Sequence, residues 1–216
     1  AELEAEYQRI VESYCAYLRQ VVAWRNSRDV TIKSLELPFG EFRPGQREMA
    51  VSVYRALAGS SQVVLQAPTG IGKTMGSLFP AVKAISEQQF DRVFYVSAKT
   101  SGQRMARDAL EHMRQGGLKL RDVTLTAKEK ICFNPGTSCD PDHCQYAKGY
   151  FDKLPAVMNA VQQDSDGFGR ERIEDLAQTY EVCPFELGLD LSELADVVIG
   201  DYNYVVDPTV YLRRHF

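Results

Sequence analysis

The stretch Val63-Val-Leu-Gln-Ala-Pro-Thr-Gly-Ile-Gly-Lys-Thr74 constrains this chain more than any other. Val63 to Leu65 form a short, β-branched apolar run bounded by Ser60, Ser61 and Gln62, which predicts a strand buried on both faces of a parallel sheet. Gly70 and Gly72 then free the backbone, so that successive N–H groups can turn inward around a polyphosphate. Lys73 reaches the outer phosphates and the Thr74 hydroxyl takes a magnesium position. The helix expected from Met75 would aim its positive end at the same anion. Residues Ala67, Pro68, Thr69, Gly70, Ile71, Gly72, Lys73 and Thr74 make up this loop, and Ala67 stands where the strict pattern has its first glycine.

The flanking segments supply the rest of an α/β layer. Leu3, Tyr7, Ile10, Val11, Tyr14, Leu18, Val21 and Val22 recur at helical spacing, which predicts an amphipathic packing helix over 3–22, with Cys15 as a small buried hydrophobe. A Pro/Gly loop, Leu37 to Gly45, leads into a helix over 46–58. Arg43 and Gln46 stand at its mouth, where a Gln amide can donate to and accept from an adenine edge at once. A helix follows over 75–89, interrupted in pattern by Pro80, and 91–97 reads as a second buried strand. Lys99, Thr100, Ser101 and Gln103, with Arg104 and Arg107, open a helix at the carboxyl edge of that strand, where open α/β sheets place ligands. Such donors suit phosphate contacts that ignore base sequence, although a solvated, capped helix start is the simpler reading of the segment taken alone. A third strand is expected over 118–125 and a last one within 194–208, where Asp201 follows the strand with no Glu beside it.

Between those last two strands the character changes. The chain carries five cysteines, of which Cys132, Cys139, Cys144 and Cys183 fall in this one region, in loops followed by helical segments near 143–162 and 170–180. Six, four and thirty-eight residues separate them, a poor spacing for a zinc ribbon and one compatible with a cubane iron–sulfur cluster. His143 is taken as a bystander. The absence of a secretory leader or an apolar span points to the cytoplasm, where clustered cysteines favour metal ligation over disulfides. A formal charge of −4 argues against wholesale coating of nucleic acid and leaves room for a local basic track.

In chain order, Phe42-Arg-Pro-Gly-Gln46, Ala67 to Thr74, Ser97 to Gln103, the four cysteines, Cys183-Pro-Phe-Glu and Ala195-Asp-Val-Val-Ile-Gly-Asp-Tyr-Asn-Tyr204 resemble the XPD/DinG family of iron–sulfur superfamily 2 DNA helicases, the bacterial DinG-like branch most closely. The resemblance implies a RecA-like phosphate-loop motor domain, a parallel sheet flanked by helices, with a small, mostly helical iron–sulfur domain inserted. It divides the chain into an N-terminal helical segment (1–36), the first part of the motor domain (37–125), the insertion (126–190) and a return strand (191–216). By the same resemblance, Arg43 and Gln46 recognise the adenine of ATP, Ala67 to Thr74 hold its phosphates and Mg2+, and Lys73 and Thr74 act in catalysis. Lys99, Thr100 and Gln103 touch single-stranded or forked DNA, and Cys132, Cys139, Cys144 and Cys183 ligate a 4Fe-4S cluster used in 5′ to 3′ unwinding. The family's Asp-Glu-Ala-His box and second motor domain are expected beyond Phe216, so this piece alone is expected not to hydrolyse ATP usefully. Two other readings stand beside this one: another phosphate-loop ATPase or kinase with structural zinc, and a nucleic-acid- or partner-binding module.

Overall fold

The computed structural model describes residues 2–88, 90–162, 164, 166–210 and 212–216. Its elements run α1 (Glu2–Ser34), α2 (Gln46–Ala58), α3 (Lys73–Gln88), β1 (Val93–Val96), α4 (Thr100–Gln115), β2 (Asp122–Thr124), α5 (Lys128–Ile131), α6 (Tyr150–Ala160), α7 (Arg170–Tyr180), α8 (Pro184–Leu191), β3 (Val197–Gly200) and α9 (Asn203–Val206). The strands form one parallel sheet in the order β1-β3-β2, with Val93 and Asp122 both in register with Val197. Among the described residues no helix is long and apolar enough to cross a membrane.

β3 is the central strand, and all four of its residues are buried. Because side chains alternate along a strand, its two faces feed two cores. Val197 and Ile199 pack with Ile32 of α1, Leu78, Val82 and Ile85 of α3, and Leu110 and Met113 of α4. Val198, with Val123 and Leu125, packs with Ile131, Tyr150, Ile173, Leu187 and Leu191. The cysteine-bearing segment therefore packs on one face of the sheet and shares its core, with Tyr204 and Leu212 of the segment after β3. It also shields the β2 edge: the Phe168 N–H donates to Asp122 O at 2.6 Å and the Thr124 N–H donates to Phe168 O at 3.0 Å, so the ladder is not left open.

Asp196, immediately before β3, ties α1 to this body. Its buried carboxylate accepts hydrogen bonds from Arg28 (2.6 Å), from the Trp24 indole N–H (3.1 Å) and from the Arg121 backbone N–H (3.0 Å). The Arg121 guanidinium lies 3.7 Å from the centre of the Trp24 ring. At the end of α1, the Lys83 ammonium donates to the carbonyls of Ile32, Lys33 and Leu35, tying the last turn of α1 and the residue after it to α3.

Two sequence expectations fail here. Val63 to Leu65 carry no ladder, and Val64 is 97% exposed. Strand propensity needs a neighbour to pair with, and none of the three described strands lies beside this run. The apolar stripe of α1 is likewise not a packing face over most of its first twenty residues: Leu3, Tyr7, Ile10 and Tyr14 are exposed, and the helix meets the body from Gln20 onward. The third strand is also shorter than its apolar pattern, confined to Asp122–Thr124.

Replacing Asp196 with Ala strips three donors of their acceptor and leaves Arg28 buried without its counter-charge. The expected loss is about 3–5 kcal/mol of unfolding free energy, measured by urea denaturation followed through Trp24 fluorescence.

Candidate functional site

The phosphate loop takes the conformation its glycines permit. Gly70 and Gly72 sit at φ +84° and +85°, in the left-handed region that side chains avoid, and α3 starts directly at Lys73. Ala67 is outside that region, so the first glycine of the strict pattern is not required here. The Lys73 ammonium folds back across the loop to Ala67 O at 2.5 Å, closing the turn where polyphosphate oxygens would sit. Thr74 occupies the first turn of α3 and is partly exposed.

Arg43 and Gln46 are brought to this loop. The Arg43 guanidinium donates to Gly70 O at 2.8 Å. Gln46 is buried; its Oε1 accepts from the Arg43 N–H (3.0 Å) and its Nε2 donates to Gly72 O (2.9 Å). Both ends of the amide that was expected to read adenine are thus engaged by backbone, and Gln46 joins the α2 entrance to the phosphate loop.

At the carboxyl ends of all three strands lies a groove of about 1420 Å³. α4 contributes Thr100, Gln103, Arg104 and Arg107, and the segment after β2 contributes Thr126, Lys128 and Lys130. Arg170 of α7, Asp201 and Asn203 after β3, and Arg213 and Arg214 line the groove further, together with Glu129, Glu171 and Glu174; Arg170 is paired with Glu174 and Arg214 with Asp190, and cations outnumber carboxylates. Lys99 stands just before α4, outside this lining and without a side-chain capping bond. The Thr124 hydroxyl on this wall is buried and, among the described residues, has no hydrogen-bond partner. Such an orphan costs about 1–3 kcal/mol, a cost that a polar ligand or water in the groove would remove. The Asp201 carboxylate accepts the Asn203 N–H at 3.0 Å, an Asx turn at the strand end. The residues missed from sequence, Lys128, Lys130, Arg170, Arg213 and Arg214, come from separate chain segments. Their one legible signal was Lys128, a cation shortly after a buried strand's carboxyl end.

The cysteines are partly gathered. Among the described residues no three Cys, His, Asp or Glu side chains converge closely enough to hold a metal ion. A cubane spans more than a single ion does, and its thiolates stand further apart. Cys132, Cys139 and Cys183 share one neighbourhood around Lys128. Its ammonium is held above its ordinary range, first by a hydrogen bond to Cys139 and then by the charges of Cys139, Cys132 and Cys183. The Asn134 N–H donates to Cys132 Sγ at 3.4 Å. Cys183 precedes α8: burial pushes its thiol up, while the N–H groups of Glu186 and Phe185 pull it down. Cys144 is buried. Cationic and N–H donors beside Cys132, Cys139 and Cys183 suit thiolate ligation, by a cluster or by a single ion alike.

A phosphate loop opening a helix, beside a parallel sheet whose carboxyl edge carries a groove, is the arrangement of a phosphate-loop α/β domain. The sequence profile of the DEAD_2 family matches residues 104–215, and the chain belongs to this family, of the XPD/DinG type of superfamily 2 helicases. It is similar to a regulator of telomere elongation helicase 1 homolog of Drosophila grimshawi, 27% identical over 191 residues, covering 82% of this chain and 19% of that protein. It is also similar to the general transcription and DNA repair factor IIH helicase subunit XPD of Dictyostelium discoideum, 20% identical over 199 residues, covering 80% and 26% respectively. The chain thus spans about a fifth to a quarter of the length of these relatives. Among solved structures, a truncated XPD shares the fold with a TM-score of 0.51 at 20% identity, over 74% of this chain and 46% of that one.

The two loop glycines separate by substitution. A Cβ on Gly70 meets open space, so Gly70→Ala is expected to cost only the backbone strain, about 1–2 kcal/mol. A Cβ on Gly72 collides with Gln46 Nε2, so Gly72→Ala is expected to cost roughly 1–3 kcal/mol more. In urea melts, adding Gln46→Ala should remove part of that excess.

Proposed function

We propose that this chain is the nucleotide-binding, strand-gripping part of an ATP-dependent DNA helicase that moves 5′ to 3′ and is cytoplasmic. The observation that carries the reading is the phosphate loop, with Lys73 folded across it, in one molecule with a basic groove at the carboxyl edge of the same sheet. Lys73 and the N–H groups of Gly70 to Thr74 hold the ATP phosphates, Thr74 binds Mg2+, and Gln46 with Arg43 reads adenine by exchanging its present backbone partners for the base. Because Gln46 Nε2 and the Arg43 guanidinium hold carbonyls of the loop itself, that exchange would couple base binding to loop shape.

In the groove, Thr100 and Gln103, with Lys99 and the arginines of α4, take the phosphates of single-stranded or forked DNA. These contacts are to the backbone and so ignore base sequence, and their affinity falls with salt as counterions are released. Hydrolysis needs a water oriented by a carboxylate and an arginine on the outer phosphate. Asp201, turned to the Asn203 N–H, supplies neither, and the 216-residue chain is expected to bind nucleotide without turning it over usefully.

Cys132, Cys139, Cys144 and Cys183 would hold a 4Fe-4S cluster. When bound, that cluster cross-links the loop-rich segment and gives it the rigidity to part a duplex. The Lys128 ammonium and the N–H groups of Asn134, Phe185 and Glu186 offset the thiolate charge.

Lys73→Ala in this chain should abolish binding of a fluorescent ATP analogue while leaving anisotropy-measured binding of labelled single-stranded DNA within about twofold. Retained nucleotide affinity in the variant would remove the phosphate-loop assignment. Cys139→Ser should lose iron and the visible charge-transfer absorbance and make 130–185 protease-sensitive, with ATP affinity kept. Zinc in place of iron in the unaltered chain would favour another phosphate-loop enzyme.

A further inference from the structure

The exposed half of α1 has a regularity its docked half does not explain. Leu3, Tyr7, Ile10, Tyr14, Tyr17 and Val21 alternate steps of four and three residues, the two apolar positions of a heptad repeat. A strict seven-residue apolar repeat keeps one seam facing a partner helix only if the two helices wind around each other left-handedly. On this helix the seam faces water: Leu3 is 88% exposed, Ile10 61% and Tyr14 60%. It runs on into the docked face, since the next seam positions are Trp24 and Arg28, which bond Asp196. Gln20 already touches Gln162, so the free seam ends where the body begins.

We infer that this seam pairs two copies of the chain through an antiparallel two-stranded coiled coil of their α1 helices. Three observations select a second copy in that orientation. The seam is self-complementary when reversed: Leu3 meets Val21 of the other copy, Tyr7 meets its Tyr17, and Ile10 meets its Tyr14, so the layers fill the exposed stretch and end at half-buried Val21, where each body begins. The charge along the paired stretch is polarised, with Glu2, Glu4 and Glu6 near one end, where Arg9 answers only Glu6, and Arg19 at the other, Arg25 being already paired with Asp91 of its own body. Reversal lays the acidic end along the basic one, whereas parallel pairing stacks like charges. The flanking positions agree: Val11 meets Val11, Ser13 meets Ser13 and Glu6 meets Gln20, with no like-charged pair. Finally, each body is attached at the same end of α1, so parallel pairing would force the two bodies together, while antiparallel pairing sets them at opposite ends of a rod roughly 30 Å long. Tyrosines suit such a seam, combining a large apolar ring with a hydroxyl that stays wet at the rim.

Sedimentation equilibrium of the 216-residue chain should give a particle of twice the chain mass that dissociates on dilution. The double variant Ile10→Glu/Tyr14→Glu changes only side chains that are exposed in the single chain. It should sediment as a monomer with an unchanged melting transition of the sheet body. Orientation is read by oxidative cross-linking in a Cys15→Ser background. An equimolar mixture of Ile10→Cys and Tyr14→Cys chains should form the mixed disulfide dimer, and Ile10→Cys alone should not cross-link. A monomer at all concentrations, or a dimer that survives the double variant, overturns the pairing. Cross-linking of Ile10→Cys alone overturns its direction.

Discussion

The buried Asp196 carboxylate is the interaction on which the arrangement depends. Three donors from distant parts of the chain converge on it: Trp24 and Arg28 from α1 and the Arg121 N–H from the approach to β2. A charge taken out of water is tolerated only when every lone pair is answered, and here the answers fix three elements at one point. Because Asp196 is also the residue before β3, that point sets where the central strand enters the sheet. The Asp196 carbonyl then accepts the Val93 N–H at 2.8 Å, which brings β1 into register with β3. Polar satisfaction at the amino end of the sheet thus determines what stands at its carboxyl end, where the groove opens.

How much of this was legible in the sequence follows from whether a feature is local. The phosphate loop was readable because Gly70 and Gly72 declare their own backbone geometry, and the helix over 46–58 because its loop and period are self-contained. Val63 to Leu65 misled because a strand is a property of two segments, and β-branched residues cannot report whether a partner is present. The stripe on α1 misled in the opposite way: its period forecast a helix correctly, but a stripe says only that something apolar is suited to cover it, not that this body does.

Gln46 falls between these cases. A polar residue at a helix mouth, upstream of a phosphate loop, signals the neighbourhood of the nucleotide. The sequence could not show that its amide would be spent on backbone at both ends. The groove was the least legible feature, since Arg107, Lys128, Arg170 and Arg214 belong to four segments that only the sheet topology brings together.

The two cores explain how one sheet serves two kinds of chemistry without mixing them. α3, which begins at Lys73, packs through Leu78, Val82 and Ile85 on the face shared with Val197 and Ile199. Ile131, Cys183 and Leu187, which frame the cysteines, pack on the face shared with Val198. All three strands lend side chains to both cores, Val93 and Tyr95 against Phe94 in β1 and Leu120 against Val123 beside β2, but β3 is the one whose four residues are all buried. That strand ends at Gly200 and passes directly into Asp201 and Asn203 on the groove wall. A Cβ at Gly200 would press against the Tyr204 ring and approach Leu125. The absent side chain therefore lets β3, the thiol layer and the floor of the groove meet closely. At this point the nucleotide half and the cysteine half meet with no side chain between them, beside the further links that Arg121 makes to the carbonyls of Gln162 and Asp164.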